Sequence, residues 1–259
     1  MSKKLDEANS DAIKITTPSG FEVIIRQQTG EDDDVISNPN GAYLGEALNE
    51  FVKGIITKLG PKDITPTYND IEHMKLGDKY FIMIASRIFS LGPVLKFEYE
   101  WDDGEVAEYE EELDNYIWDY ALDGFPEKGS KLYSPYRIPP HKHGEDIQME
   151  FSIPSGKKFR FTFMNGIGEK YLMTLPENEL SKNTELKARD LEQKLGEDWV
   201  KVETFKAFTA REMSSIRKSV FDNDPITEVL SEIPHPKNKN KKIMYSLLTS
   251  PDFLFPREI

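Results

Sequence analysis

Ile13-Lys-Ile-Thr-Thr-Pro-Ser-Gly20-Phe-Glu-Val-Ile-Ile-Arg26 decides the fold class. Two runs rich in β-branched residues flank Thr-Pro-Ser-Gly. Pro18 presets its backbone and Gly20 tolerates positive φ, so the stretch predicts a β-hairpin. The same chemistry returns in Met149-Glu-Phe-Ser-Ile-Pro-Ser-Gly156-Lys-Lys-Phe-Arg-Phe-Thr-Phe-Met164. There Phe159, Phe161 and Phe163 alternate as in a half-buried strand. Two hairpins opening two similar successions of elements suggest two related units.

Helical periodicity fills the space between them. Leu44, Ala47, Leu48, Phe51, Val52, Ile55, Ile56 and Leu59 lie on one stripe, which predicts an amphipathic helix over 42–59 stopped by Gly60-Pro61. Gly30-Glu-Asp-Asp-Asp34 suits a helix start, because carboxylates face the positive end of the dipole. A second long helix runs from Leu76 to Leu91, with Asp78 able to cap it and Gly92-Pro93 ending it. Val94–Trp101 alternates as a strand, Asp102-Asp103-Gly104 turns, and 106–113 returns. A short helix is expected over 114–122. In the second half, 183–195 reads as a charged helix and Gly166-Ile-Gly168 as a turn. Thr209-Ala-Arg-Glu212 is a capping box with Phe208 and Met213 as its staple. Asp224-Pro225 restarts a helix that Pro234-His-Pro236 stops, and Ile243–Leu248 is a last strand. The expectation is an α+β protein of antiparallel hairpins packed with amphipathic helices. Its units would be 1–127 and 149–259, with 128–148 as a linker.

Composition narrows the chemistry. The chain of 259 residues is 38% hydrophobic with 15 Phe and 11 Tyr, enough for a folded core. Cysteine is absent, which removes disulfides, thiolate nucleophiles and thiolate-held zinc. No apolar run reaches the length of a membrane span and the first residues are polar, so no membrane partner is expected. A net charge of −13 repels phosphate backbones and argues against nucleic acid. The charge is uneven: Glu98 to Glu127 holds 13 acidic residues and no Lys or Arg, while Lys237–Lys242 is basic. An acidic block is either a solvated face or a docking surface for a basic partner.

Reactive constellations are thin. His141-Lys-His143 is the one close histidine pair, and in extended chain both rings would point the same way. No third ligand stands at a characteristic spacing. There is no phosphate-binding glycine loop, G-x-S-x-G or dinucleotide fingerprint. Neither cofactor, metal nor small-molecule substrate is expected, and the chain reads as no enzyme. A metal-dependent hydrolase using His141 and His143 is the outlying alternative. The candidate contact residues are Glu108, Glu110, Glu111 and Glu112 in the acidic block, and Phe253, Leu254 and Phe255 near the end. Those aromatics must dock on their own domain or on a neighbour.

Three pieces, taken together, resemble one family: the opening hairpin with Pro18-Ser19-Gly20, Arg26-x-x-Thr29-Gly30-Glu31-Asp32, and Leu76-Gly77-Asp78-Lys79 leading into Arg87-Ile-Phe-Ser90-Leu-Gly92. Their order, mainly over 13–101, is similar to that of the baseplate hub and hub-assembly proteins of contractile-tailed phages and related tail-like particles. Many members of that family carry paired cysteines in the hairpin after the helix, as a small metal knuckle. Here Trp101-Asp-Asp-Gly-Glu105 stands in that place, so the resemblance implies a turn in place of the knuckle. It further implies a structural component of the tail baseplate, near hub or wedge, made in the host cytoplasm and kept in the virion. Its partners would be other tail or baseplate proteins. The alternative is an assembly chaperone that binds a tail protein and leaves before the particle is mature.

Overall fold

The computed structural model describes residues 11–17, 19–37, 44–60, 64–116, 144–224, 229–238, 240–248 and 251–254. The fold is α+β, and every strand pair among the described residues is antiparallel. The first half runs β1 (Ala12–Thr16), β2 (Glu22–Arg26), α1 (Gly30–Ser37), α2 (Leu44–Ile55), β3 (Ile56–Leu59), α3 (Tyr68–Glu72), α4 (Leu76–Leu91), β4 (Val94–Glu100) and β5 (Val106–Glu112). The second runs β6 (Gln148–Ser152), β7 (Lys158–Thr162), α5 (Gly166–Met173), α6 (Lys182–Ala188), β8 (Glu192–Leu195), β9 (Asp198–Lys201), α7 (Ala210–Asn223), β10 (Leu230–Pro234), β11 (Lys242–Ser246) and α8 (Pro251–Leu254).

The halves repeat. β1 begins at 12 and β6 at 148, β2 at 22 and β7 at 158, α1 at 30 and α5 at 166. β3 begins at 56 and β8 at 192, β4 at 94 and β10 at 230, β5 at 106 and β11 at 242. Each pair of starts is the same distance apart, 136 residues (148 − 12). The turns agree in detail. Thr17 N–H donates to Phe21 O at 2.9 Å as Ile153 N–H does to Lys157 O at 3.1 Å, and Gly20 and Gly156 have φ of 81° and 83°. One long-range bond also repeats. Gln28 N–H donates to Ser90 Oγ (2.8 Å) at the end of α4, and Met164 N–H donates to Asp224 Oδ2 (2.7 Å) at the end of α7.

Four expectations fail, three of them because pairing with another strand overrides local periodicity and the fourth because a side-chain cap starts a helix. The helix drawn to 59 ends at Ile55, and Ile56–Leu59 pairs with β2 as β3. The helix drawn over 183–195 is α6 followed by β8, which pairs with β7 and β9. Residues 230–234 form β10 and not the end of a helix. Gly166-Ile-Gly168 opens α5, capped by Asn165, whose Oδ1 accepts from Ile167 and Gly168 N–H at 3.1 Å each. Gly168 is demanded by close approach: a Cβ there would lie 2.4 Å from Met164 Sδ and 2.9 Å from Ala188 O. The Thr209–Glu212 capping box forms as read. The linker up to 143 and the helix beyond 116 lie outside the described residues.

Among the described residues two apolar cores form. One gathers Phe159, Phe161, Phe163, Leu186, Leu191, Met213, Ile216 and Val220 of the second half. The other gathers the first half around Phe51, Ile82 and Ile84, but it also takes Val229, Ile233, Leu247 and Phe253. The boundary at 149–259 therefore marks the repeat and not the cores: the last hairpin of the second half completes the core of the first.

Candidate docking face

The residues of the Arg26–Asp32 and Leu76–Gly92 stretches have structural work. Arg26 makes two parallel bonds to Asp32 (2.7 and 2.8 Å), and Asp32 also takes Thr29 N–H at 2.8 Å, which ties the hairpin to α1. Asp78 does not cap α4. Its Oδ1 accepts Ser19 N–H at 2.9 Å, fastening the first turn to the central helix. Burial pushes its carboxyl up to about 6, against the pull of bonds from Ser19 and Thr17 and the charge of Lys75. Lys79 is buried against Glu169, and Tyr80 Oη donates to the same carboxylate at 2.8 Å. Arg87 donates to Gly92 O at 2.9 Å, fixing the exit of α4 into β4. Between the first turn and Lys75 lies a cavity of about 10 Å³, lined by Thr17, His73, Lys75 and Asp78, with room for one water.

The acidic block splits into two faces because a strand alternates. In the β4–β5 ladder Lys96 stands opposite Glu110, Glu98 opposite Glu108, and Val94 opposite Glu112. Lys96, Glu98, Glu100, Glu108, Glu110 and Glu112 are all exposed, and Lys96 pairs with Glu110 at 3.3 Å. The other face carries Leu95, Phe97, Tyr99, Tyr109 and Glu111. Phe97 stacks on Tyr245 of β11 with ring centroids 4.8 Å apart. Glu111 belongs to this inner side, where it accepts from Ser231 Oγ, so it parts from the three other glutamates named with it.

The turn of the hairpin is held by the basic segment of the same chain. Lys241 pairs with Asp102 and Lys237 with Glu105, while His235 Nε2 donates to Asp103 Oδ2 at 3.0 Å. The His235 tautomer is set by its other nitrogen, which accepts the backbone N–H of Lys237 and Asn238, each at 3.1 Å. Trp101 Nε1 donates to Tyr109 Oη (3.0 Å), and Tyr109 Oη donates to Pro234 O (2.7 Å). Thus Asp102 and Glu105 have their cations, and Asp103 its hydrogen-bond donor, in this chain, and the strand glutamates stand at the surface of a braced hairpin. The basic run at Lys237–Lys242 gave that signal in the sequence, but not the site it serves.

Phe253 is fully buried in the first core, in α8 against β4, so the chain docks this aromatic on itself. That corrects its place among contact residues. Leu254 closes α8, but its side chain and Phe255 lie outside the described residues, as do His141 and His143. His73 is on α3's exit with Nδ1 2.9 Å from Asn69 O. Among the described residues no three His, Asp or Glu side chains stand so as to hold a metal ion. Among the same residues no helix is long and apolar enough to cross a membrane.

Comparison of the chain with protein-family models, with curated proteins and with solved structures finds no match.

Proposed function

We propose that this chain acts by binding other proteins, as a structural component of a contractile-tail baseplate in the hub or wedge region. The observation that carries the reading is the outer face of β4–β5. Five exposed glutamates stand on a hairpin whose opposite face is packed and whose turn is clamped by His235, Lys237 and Lys241. A rigid, mainly acidic surface, with Lys96 its one cation among these strand positions, steers and registers a basic partner at little cost in conformational entropy. The motifs at Arg26–Asp32 and Leu76–Gly92 link this reading to tail proteins. Their residues hold the fold together, which suits a component whose surface, and not a reactive pocket, does the work.

Mass spectrometry of purified tail-like particles from a producing culture tests the reading. The expected result is this chain at fixed stoichiometry with the other baseplate proteins. Its presence in assembly intermediates and absence from finished particles would favour the departing chaperone instead.

A further inference from the structure

The two halves meet reciprocally. Phe97 of β4 lies on Tyr245 of β11 with planes 6° apart, so the closing hairpins of the two halves face each other through their inner sides. Just beyond β5, Tyr116 is buried and its hydroxyl donates to Leu230 O at the start of β10. Just beyond β11, α8 packs on β4 and buries Phe253. The turn of helix after each hairpin thus reaches the first hairpin strand of the other half. Each hairpin is also closed at its base alike: Leu113 N–H bonds Pro93 O, and Leu247 N–H bonds Val229 O, both at 2.9 Å. A reciprocal exchange of the same patch is the relationship that two-fold dimers use.

The geometry points to a covalently joined dimer. The closing hairpin and the turn after it form a self-docking surface in each half, and the partner each takes is a related half. Within one chain that partner is the other unit; once the join is cut, the half of a second copy serves equally. This inference does not depend on the tail assignment, because it concerns only how the halves recognise each other. The related spacing of the elements supports it, since two copies of one unit inherit one self-complementary patch. A second contact zone, where Leu76 N–H bonds Met164 O at 3.0 Å and Lys79 meets Glu169, adds to the same pairing.

The test uses the full chain with a protease site inserted after residue 130, between the halves. After cutting, the two fragments are expected to co-migrate at the size of the intact chain at micromolar concentration. Mixed with affinity-tagged cut chain and passed through mild denaturant, they are expected to exchange, so that tagged first halves recover untagged second halves. Tyr245→Ala is expected to weaken the pairing of the cut chain at least tenfold, and Glu108→Lys, on the outer face of the partner hairpin, to leave it unchanged. Circular dichroism of the uncut variants reads folding separately. Should Tyr245→Ala not fold, Tyr109→Phe, which removes only the hydroxyl that bonds Pro234 O across the halves and Trp101 Nε1 within its own, is expected to weaken pairing severalfold. Fragments that separate on cutting, halves that never exchange, or pairing indifferent to these inner-face changes would overturn the inference.

Discussion

Lys79 of α4 and Glu169 of α5 form an ion pair from which water is excluded, and the pair joins the central helix of the first half to the opening helix of the second. Burial lowers the lysine's pKa while the carboxylate beside it pulls it back up. Removing one partner leaves the other charge buried alone, so Lys79→Met is expected to cost about 3–5 kcal/mol in urea unfolding. Lys79→Met with Glu169→Leu is expected to recover most of that loss. A double variant no better than the single one would show that the pair is not the source of the cost.

Asp78 makes stability depend on pH. Its carboxyl moves from 3.8 to about 6, chiefly through burial, so the folded state holds the proton more tightly than the unfolded chain. This group's contribution therefore falls as pH rises from about 4 to 6, and above that the charged form costs on the order of 3 kcal/mol. Asp78→Asn keeps an oxygen for Ser19 N–H and removes the charge. It is expected to raise the urea midpoint at pH 8 and flatten the dependence between pH 4 and 6. A slope that persists unchanged would show that Asp78 is not its source.

Gly168 marks where α5 touches the end of α6. Alanine there would press on Met164 and on the carbonyl of Ala188, and overpacking of this kind costs about 1–3 kcal/mol. Gly168→Ala is expected to lower the melting temperature, and Gly168→Ala with Met164→Ala to restore only the part owed to the sulfur.

Phe253 settles whether the terminal aromatics serve the chain itself. Full burial in the first core predicts a loss of about 3–5 kcal/mol for Phe253→Ala, measured on the isolated protein. An unchanged melting temperature would contradict that placement.

The outer glutamates are expected to behave in the opposite way. Glu100→Lys, Glu108→Lys and Glu112→Lys together leave the melting temperature nearly unchanged, since exposed substitutions change stability by about 0.5 kcal/mol or less each. The same triple variant should lose the proteins recovered with the wild type from a producing culture. Wild-type recovery should also fall steeply with salt.

Hairpins, the capping box at Thr209 and the long helix at 76–91 were legible because their signals are local: a turn tripeptide, a cap spacing, an apolar stripe. β3 and β8 were not. Ile56 and Leu59 continue the stripe of α2, so only the presence of β2 beside them makes a strand, with Thr57 Oγ1 donating to Ile24 O at 3.1 Å. A signal did exist, since Lys58-Leu59-Gly60 recurs as Lys194-Leu195-Gly196 and both glycines have positive φ, 70° and 66°. At the candidate face, strand alternation separates Glu111 from its neighbours, but nothing local reveals that Lys237 and Lys241 return to Glu105 and Asp102. Such long-range meetings depend on topology, which a charge run does not encode.

The sharing of one core by distant segments has a consequence for synthesis. Leu95 and Phe97 emerge from the ribosome long before Ile233, Leu247 and Phe253, which cover them in the finished protein. The first half must wait with part of its apolar interior uncovered while more than a hundred further residues are made, about ten seconds at usual elongation rates. Over that interval the nascent chain offers a sticky hairpin to whatever is nearby, and a chaperone at the exit tunnel would find its natural substrate there.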